Sequence, residues 1–600
     1  MAGSEAVLRI SDLLSAGEYL AAYDTATEVL TSLDLDVDDR ARVAYTRALA
    51  LARSGATERA EQELSELRAD GDVPYDVRVD VASLRARLAK DRALDLEGAQ
   101  KRRAAAHAAK AYEAVYRDLG SPFPCINAAT LWLVAGDDDR ARGLAREAAV
   151  LASSTSSSSS LDAYWADVTE AEAALVLGEL ERAVACVARA GSRRPVDSGA
   201  KATTRRQLAV LCEHHGMDAR DTLAPLANPD VVHYCGHMLD HRDDPGSFSR
   251  TATEDVRREV TQWVRARHIG FAYGSLAAGG DLVAAEAMLE SGADLHVVLP
   301  FDVDSFLDAS VRPAGVDWER RFSACLASAT SVTVTSDSAY LGHDELFGFA
   351  SQVAMGQAVI RAKALVSDAT QLAIWDGEPP SGPAGTARDV ALWRSSGRAS
   401  SVITVSRAGP AASGVGTADT PPSMRPVRAL LFGDMAGFGR LRDEDMLFFA
   451  TDVMPKMAAV VDRYGRAVTD RNSWGDGIFV AFDDVGEAAR CALALQAEIS
   501  RGDNRFRMRM SVHVGPVLSV HDPVRAVQGT FGRELTRGAR IEPRTPVGEV
   551  YATSAFAALL ALDPAANVTP EYVGHVTTAK DFETIPMYVL KPRSTTSALS

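Results

Sequence analysis

Four times before residue 185 the chain repeats one short device: a glycine, four residues, then an alanine. The stretches are "GEYLAA" from Gly17, "GATERA" from Gly55, "GDDDRA" from Gly136 and "GELERA" from Gly178. Each follows an apolar run with helical spacing, in flanks rich in the good helix formers Ala, Leu, Arg and Glu. Small residues at such places let two antiparallel helices approach closely. A helix pair of that kind buries its apolar face only by stacking on its neighbours. The device predicts a helical-repeat solenoid over residues 1–220.

The spacing between repeats is irregular, so they are degenerate. They resemble tetratricopeptide (TPR) repeats, and the arrangement is similar to the helical domain that binds TRAF proteins. The resemblance implies a protein partner on the repeats. The run "SSTSSSSS" at 153–160 reads as an extended loop between helices. Residues 225–405 change character: short apolar stretches alternate with helical ones, namely "DVVHYCGH", "HIGFAYG", "LHVVLPF", "SVTVTS", "QLAIWDG" and "SSVITV". Such alternation predicts a parallel sheet with helices on both faces. Residues 408–426 hold Gly, Pro, Ala and Ser with almost no core former and read as a flexible linker. A third globular unit is expected over 427–593, then a disordered tail, "STTSALS". Three domains in 600 residues fit the size at which single cores stop growing.

The net charge of −17 and a pI of about 5.3 fit poorly with a duplex-binding protein, whose phosphate contacts need clustered Lys and Arg. The start of the chain lacks a basic segment followed by an apolar block, and nothing reads as a membrane span. The six cysteines are scattered, with no CxxC pair. That pattern fits a reduced cytoplasmic protein without a structural zinc site.

Two glycine-rich turns in the middle region run from a strand into a helix. "AYGSLAAGGD" carries Gly274, Gly279 and Gly280; "WDGEPPSGPAGTARD" carries Gly377, Gly382, Gly385 and Thr386. Exposed backbone N–H groups at a helix N-terminus cradle phosphate, and such loops converge beyond the carboxyl ends of parallel strands. The same glycines also serve as tight βα turns. The order of features resembles the SLOG superfamily, which includes nucleotide hydrolases. There "PAGTARD" departs from a Gly-Gly-x-Gly-Thr run followed by a catalytic Glu: Pro383-Ala384 replace part of the glycines, and Asp389 stands near the acid position. The resemblance implies a bound nucleotide-derived ligand, with hydrolysis of a nucleotide N-glycosidic bond as a weaker alternative.

In the last region an apolar strand, "VRALLFGDM", ends in Asp434, and some forty residues on the hairpin "RAVTDRNSWGDGIFVAF" carries Asp476 at its turn. The segment between them has helical spacing, so the order is β-α-β-β, as in ferredoxin-like folds. That order brings both carboxylates to one sheet edge. Asp before Gly favours a hairpin turn, which alone could explain Asp476. A strand-terminal Asp434 has no such excuse. Paired carboxylates together with phosphate suit a hard cation such as Mg²⁺.

"LLFGDMAGF" and "NSWGDG" look like the two metal motifs of class III nucleotide cyclases. "RMSVHVGPV", "FGRELTRGARIEPRTPVGEVYAT" and "AKDFETIPMYVLK" resemble their later motifs in the same order, across nearly all of 427–593. The resemblance implies an α+β, ferredoxin-like cyclase domain that turns a nucleoside triphosphate into a 3′,5′-cyclic nucleotide and pyrophosphate. By this likeness Asp434 and Asp476 hold two Mg²⁺ or Mn²⁺ ions. The main chain of Met435, Ala436, Gly437 and Phe438 meets phosphate, as do Arg509 and Lys580, and Arg540 steadies the transition state.

Three positions depart from the family. Asn472 and Gly529 stand where relatives read the base, and Thr536 replaces the Asn that orients the ribose. ATP, GTP and a pyrimidine triphosphate, as in bacterial antiphage pyrimidine cyclases, all stay open. Since the family's site lies between two such domains, the resemblance implies a homodimer. Asp434, Asp476 and Arg509 of one subunit would meet Asn472, Thr536, Arg540 and Lys580 of the other. The leading expectation is a cyclase regulated by its N-terminal domains; the alternative is a non-catalytic nucleotide-binding scaffold.

Overall fold

The computed structural model describes residues 2–69, 73–154, 159–194, 197–238, 250–337, 340, 342, 344–379, 382–405, 425–502 and 505–593. The centre of the serine run, the linker expected at 408–426 up to its last two residues, and the tail from 594 lie outside the described residues. The chain forms two compact units, one of Met1–Asn228 with Ala364–Ser367, the other of Pro229–Lys363 with Asp368–Arg593.

The first unit is helical: α1 (Ala2–Ala16), α2 (Tyr19–Ser32), α3 (Val37–Ser54), α4 (Thr57–Ala69), α5 (Tyr75–Leu94), α6 (Gly98–Leu119), α7 (Pro122–Ala135), α8 (Asp138–Ser154), α9 (Ser160–Leu177), α10 (Leu180–Ser192), α11 (Ser198–His214) and the short α12 (Ala219–Thr222). From α1 to α10 each helix packs against the next. The glycine–alanine device divides its labour. Gly17, Gly55, Gly136 and Gly178 take φ of 83°, 95°, 88° and 79°, the left-handed conformation that stops a helix. At Gly136 the turn closes with Gly136 N–H on Leu133 O (3.0 Å) and Asp137 N–H on Trp132 O (2.9 Å). Ala22, Ala60, Ala141 and Ala183 are buried in the helix that follows. The expectation that both residues let helices close up therefore holds for the alanines and, among these glycines, for Gly17, where a Cβ would lie 2.5 Å from Leu365 Cδ2. A side chain at Gly55, Gly136 or Gly178 would meet nothing within 4 Å.

The second unit carries two sheets. The first is wholly parallel, β1 (Asp230–Gly236), β2 (Ile269–Gly274), β3 (Asp294–Leu299), β4 (Ser331–Val334), β5 (Ala369–Trp375) and β6 (Ser400–Thr404), in the order β4-β3-β2-β1-β5-β6. Each of the six apolar stretches read from the sequence forms one strand. Its helices are α13 (Arg250–Arg265), α14 (Gly280–Glu290), α15 (Val303–Ser310), α16 (Val316–Ser328), α17 (Glu345–Leu365) and α18 (Thr386–Ser395). The chain winds outward from β1 to β4, then returns to the other side of β1. That reversal puts a topological switch point between β1 and β5, where loops part into a crevice.

The second sheet has seven strands: β7 (Val427–Met435), β8 (Val468–Trp474), β9 (Gly477–Phe482), β10 (Met508–Pro516), β13 (Val550–Thr553), β14 (Val568–Thr577) and β15 (Thr584–Pro592), ordered β14-β15-β13-β10-β7-β9-β8. A separate hairpin joins β11 (Leu518–Asp522) and β12 (Val527–Phe531). After β7, α19 (Asp443–Phe448) passes through a π-helical turn, Phe449–Val453, into α20 (Met454–Asp462); α21 (Val485–Arg501), α22 (Arg533–Ile541) and α23 (Ser554–Ala561) follow. Strands β7, β8, β9 and β10 with their two helical connections make a β-α-β-β-α-β unit in spatial order 4-1-3-2, a ferredoxin-like arrangement. The two sheets share packing through α17 and α23. Met355, Val359, Trp393 and Leu562 form one buried cluster, and a Cβ on Gly356 would lie 1.9 Å from Ala558 O.

Among the described residues no helix is long and apolar enough to cross a membrane. All six cysteines are buried and unpaired.

Candidate functional site

Strand β7 is an interior strand of its sheet, hydrogen-bonded to β10 on one side and β9 on the other. Its apolar run, Ala429 to Phe432, is buried, which fixes how far its last residues project. Asp434 stands at its carboxyl end, opposite Arg509 of β10. On the other side, Trp474 pairs with Gly477, leaving a two-residue turn of Gly475 and Asp476. Gly475 takes the positive φ, 63°, at the first turn position. The turn is thus made by the glycine before Asp476, and the carboxylate is not what bends the chain. Burial, then the facing Asp434, raises Asp476 above the ordinary carboxylate range. The two side chains lie within hydrogen-bonding reach of each other.

A third carboxylate joins them. Arg509 donates from Nη2 to Asp434 Oδ2 (2.9 Å) and from Nε to Glu542 Oε1 (2.5 Å). Burial, then Asp434, pushes Glu542 up to about 7, against the pull of Arg509. Glu542 was not singled out from the sequence. Its signal was "RIEPR", an acid two residues past Arg540 at the end of a helix, and only the register of β10 against β7 shows where it reaches. Among the described residues no group of three or more His, Cys, Asp and Glu is arranged to hold a metal ion. The donor set is two facing carboxylates, which suits a hard cation that keeps water and phosphate as its other ligands.

The four main-chain N–H groups expected to meet phosphate divide in two. Met435 N–H is turned to Asp476, and Ala436 N–H donates to Arg507 O (2.8 Å). Gly437, at φ 76°, and Phe438 donate to no acceptor among the described residues. Only this second pair is open to a ligand.

Thr536 and Arg540 share one face of α22, four residues apart. The helix sits close on the sheet because Gly538 admits the Phe432 ring: a Cβ there would lie 2.5 Å from it. His513 of β10 seats the same helix, with Nε2 on Glu534 Oε2 (2.8 Å) and Nδ1 on Thr553 Oγ1 (3.0 Å). Arg537 holds Glu583 through two bonds (2.6 and 2.9 Å), Glu534 (2.9 Å) and Asp337, just after β4 (2.8 Å). Glu583 closes the turn that carries Lys580, with Thr578 N–H on Glu583 O (2.8 Å). Lys580 is exposed and takes a left-handed φ of 64°, a strained backbone for lysine. The Arg540 guanidinium lies 4.0 Å from the centre of the Phe582 ring. Thr536, Arg540 and Lys580 are therefore one group, and Asp434, Asp476, Arg509 and Glu542 another. No hydrogen bond or ion pair among the described residues joins a member of one to a member of the other.

Asn472 lies on the edge strand β8, half-buried, its Oδ1 accepting from Ser473 N–H (3.0 Å). The β11–β12 hairpin leans on that strand: Thr530 N–H donates to Asp470 (2.9 Å) and Arg525 to Arg471 O (3.0 Å). Gly529 is buried in β12 beside Phe531, whose ring would lie 3.0 Å from a Cβ placed there. It offers no side chain to a base.

At the switch point of the parallel sheet the two glycine loops differ. In the first, Gly280 N–H donates to His237 O (2.9 Å) and Ala278 N–H to Ser310 O (2.9 Å). Gly236 and Gly280 touch, and a Cβ on Gly274 would meet Tyr234 at 2.6 Å. These glycines serve close packing more than an open cradle. In the second loop Gly385 (φ 105°) has nothing within 4 Å of a Cβ position, and Thr386 opens α18. Beneath lie two buried acids. Asp281 accepts from Gly236 N–H (2.7 Å), and burial pushes it up to about 7; burial pushes Asp389 up to about 8.

Residues 19–132 match the family model described as Tetratricopeptide Repeats-Sensor, TPR-S. No curated protein matches the sequence. Among solved structures, the guanylyl cyclase Cya2 is 22% identical and aligns over 29% of this chain and 97% of its own, with a TM-score of 0.26. The adenylyl cyclase CyaB from P. aeruginosa is 18% identical over 28% of this chain and 94% of its own, with a TM-score of 0.25. The guanylate cyclase domain of RhGC from Catenaria anguillulae, solved with GTP, is 15% identical over 28% of this chain and 97% of its own, also at 0.25.

Proposed function

We propose that residues 427–593 are a nucleotide cyclase domain, working as a homodimer under the control of the two regions before it. The observation that carries the proposal is the pair Asp434 and Asp476: two carboxylates that face each other at a strand end, where neither the strand nor the turn requires them. Like charges held so close are unfavourable unless a cation is meant to sit between them. Two Mg²⁺ or Mn²⁺ ions on these carboxylates would lower the pKa of the ribose 3′-OH and hold the phosphates.

The chain's own residues do the rest. Arg509, tethered to Asp434 and Glu542, gives its guanidinium to a phosphate. Gly437 and Phe438 supply free N–H donors beside it. Lys580 and Arg540 come from the partner subunit, so that charge on the expelled pyrophosphate is met from both sides. Thr536 offers one hydroxyl to the ribose, and Asn472 both donates to and accepts from a base edge. That pairing fits a purine or a pyrimidine. The parallel sheet binds a nucleotide-derived ligand at Gly385 and Thr386, and the helical repeats take a protein partner. No part of this needs a nucleic acid or a membrane.

The test is to incubate the protein with Mn²⁺ and each of the four nucleoside triphosphates, and to identify products by mass. A cyclic nucleotide from at least one of them is expected, absent for Asp434→Ala. No cyclic product from any of the four would refute the proposal.

A further inference from the structure

Inside the helical unit, helices α11, α1, α3 and α5 pack side by side in that order. Three arginines lie along this layer: Arg206 on α11, Arg53 at the end of α3 and Arg87 on α5, all half-buried. Their donors are nearly idle. Arg53 makes one long bond, Nη1 to Leu14 O at 3.4 Å, and its Nε has no partner. Arg87 has one loose pair, with Asp91 of its own helix at 3.8 Å. Arg206 donates to a carbonyl, that of Ala364 in the same unit. Each guanidinium carries five N–H donors, so most find no acceptor among the described residues.

The carboxylates that face the group are few. Among the described residues Asp91 faces Arg87 and Arg206, and Asp197 faces Arg53 but is occupied in capping α11 at Ala200 N–H. Lys90, one turn along from Arg87, is committed to Asn127 Oδ1 (2.8 Å) and Gln207 Oε1 (2.6 Å). Burial, then Arg87, lowers both Arg53 and Arg206 below the usual arginine range, as expected of like charges held together. A second observation points to a ligand. Tyr19 is 2% exposed, yet its hydroxyl has no partner. That oxygen and Arg53 Nη1 both lie 3.2 Å from the point where a side chain on Gly199 would begin. A buried hydroxyl without a partner costs stability, as does a cluster of cations short of counter-ions.

We propose that this inner layer is a binding site for a phosphate-bearing small molecule, held by Arg53, Arg87 and Arg206 with the Tyr19 hydroxyl as a further donor. Planar guanidinium forks match the paired oxygens of phosphate, and a dianion would offset the charge the layer leaves unbalanced. The half-buried setting suits a compact phosphate or diphosphate better than an extended acidic peptide. The site does not depend on the cyclase reading and would stand if that reading failed.

Hydrogen–deuterium exchange on the full chain tests it, in EDTA, with and without millimolar inorganic pyrophosphate and, separately, ADP. Peptides from α3, α5 and α11 should exchange about threefold more slowly, or slower still, with at least one probe. Stronger protection by ADP would assign a nucleotide, and equal protection the inorganic ion. Arg53→Gln and Arg206→Gln should abolish the effect while keeping the wild-type exchange pattern without probe. Arg53→Lys, which keeps the charge but not the fork, should retain part of it. No protection in these helices with either probe, or equal protection in wild type and the Gln variants, would overturn the proposal.

Discussion

Replacing Gly356 by alanine should destabilise the second unit, although the general rule for helices has the opposite sign. Gly356 lies well inside α17, where alanine is ordinarily favoured over glycine by about 1 kcal/mol. Here its Cβ would sit 1.9 Å from Ala558 O, 2.3 Å from Ala558 C and 2.7 Å from Ala558 Cα. Ordinary contact starts near 3.4 Å, so α17 and α23 must part by about 1.5 Å. The clashing atoms are backbone and have no rotamer to escape into. Overpacking of this kind costs about 1–3 kcal/mol and sometimes more, which outweighs the propensity gain. Gly143→Ala is the control: Gly143 is exposed in α8, and nothing lies within 4 Å of a Cβ there. It should stabilise the first unit by up to about 1 kcal/mol. Urea unfolding, with tryptic mapping to tell the units apart, measures both. If Gly356→Ala raises the midpoint as Gly143→Ala does, the close packing of α17 on α23 is wrong.

Arg537→Ala should cost about 3 kcal/mol and depress the proposed cyclase turnover, because it leaves the buried Glu534 with His513 as its one remaining charge partner and frees the turn carrying Lys580. Asp337 is itself half-exposed in its pairs with Arg533 and Arg537, so the cost of Asp337→Asn should stay below about 1 kcal/mol by the same unfolding assay. Gly538→Ala should lower turnover more than stability, since it moves α22, and with it Arg540, off the Phe432 ring; steady-state kinetics beside thermal melts would separate the two. Asp281 and Asp389 are raised to about 7 and about 8, well above the roughly 3.9 of an unfolded Asp, so the folded chain holds protons the unfolded chain has released. Their contribution is complete below about pH 4 and is lost as pH climbs through 7 and 8; Asp389→Asn should flatten that part of the stability–pH profile.

The sequence carried most of the architecture because periodicity reports burial. Six apolar stretches became the six strands of the parallel sheet, and the apolar run after the Asp476 turn became β9. Asp434 and Asp476 were legible for a different reason. One ends a strand and the other sits at a turn, and strand order alone brings those places together. What stayed hidden depends on partners far apart in the chain. Glu542 looks like any helix-terminal acid until the register of β10 brings Arg509 to it. Asp337 lies 200 residues from Arg537, and no local pattern links them. The glycines were only half read: composition marks a glycine, but not whether it stops a helix, as Gly136 does, or admits a neighbour, as Gly280 does. The arginines of the inner helical layer were equally silent, since Arg53, Arg87 and Arg206 sit in helices that each carry other arginines, some of them in ordinary surface ion pairs.

Mixing two inactive variants tests the composite two-carboxylate site most directly. On the proposed reading Asp434→Ala lacks a metal carboxylate, and Arg540→Ala lacks the arginine given to the partner. After subunit exchange half of the dimers are mixed, and each mixed dimer rebuilds one intact site of two, so cyclic-nucleotide formation should recover to about a quarter of the wild-type rate. A mixture no more active than its separate components, from a wild type that is active, would contradict a site shared between subunits.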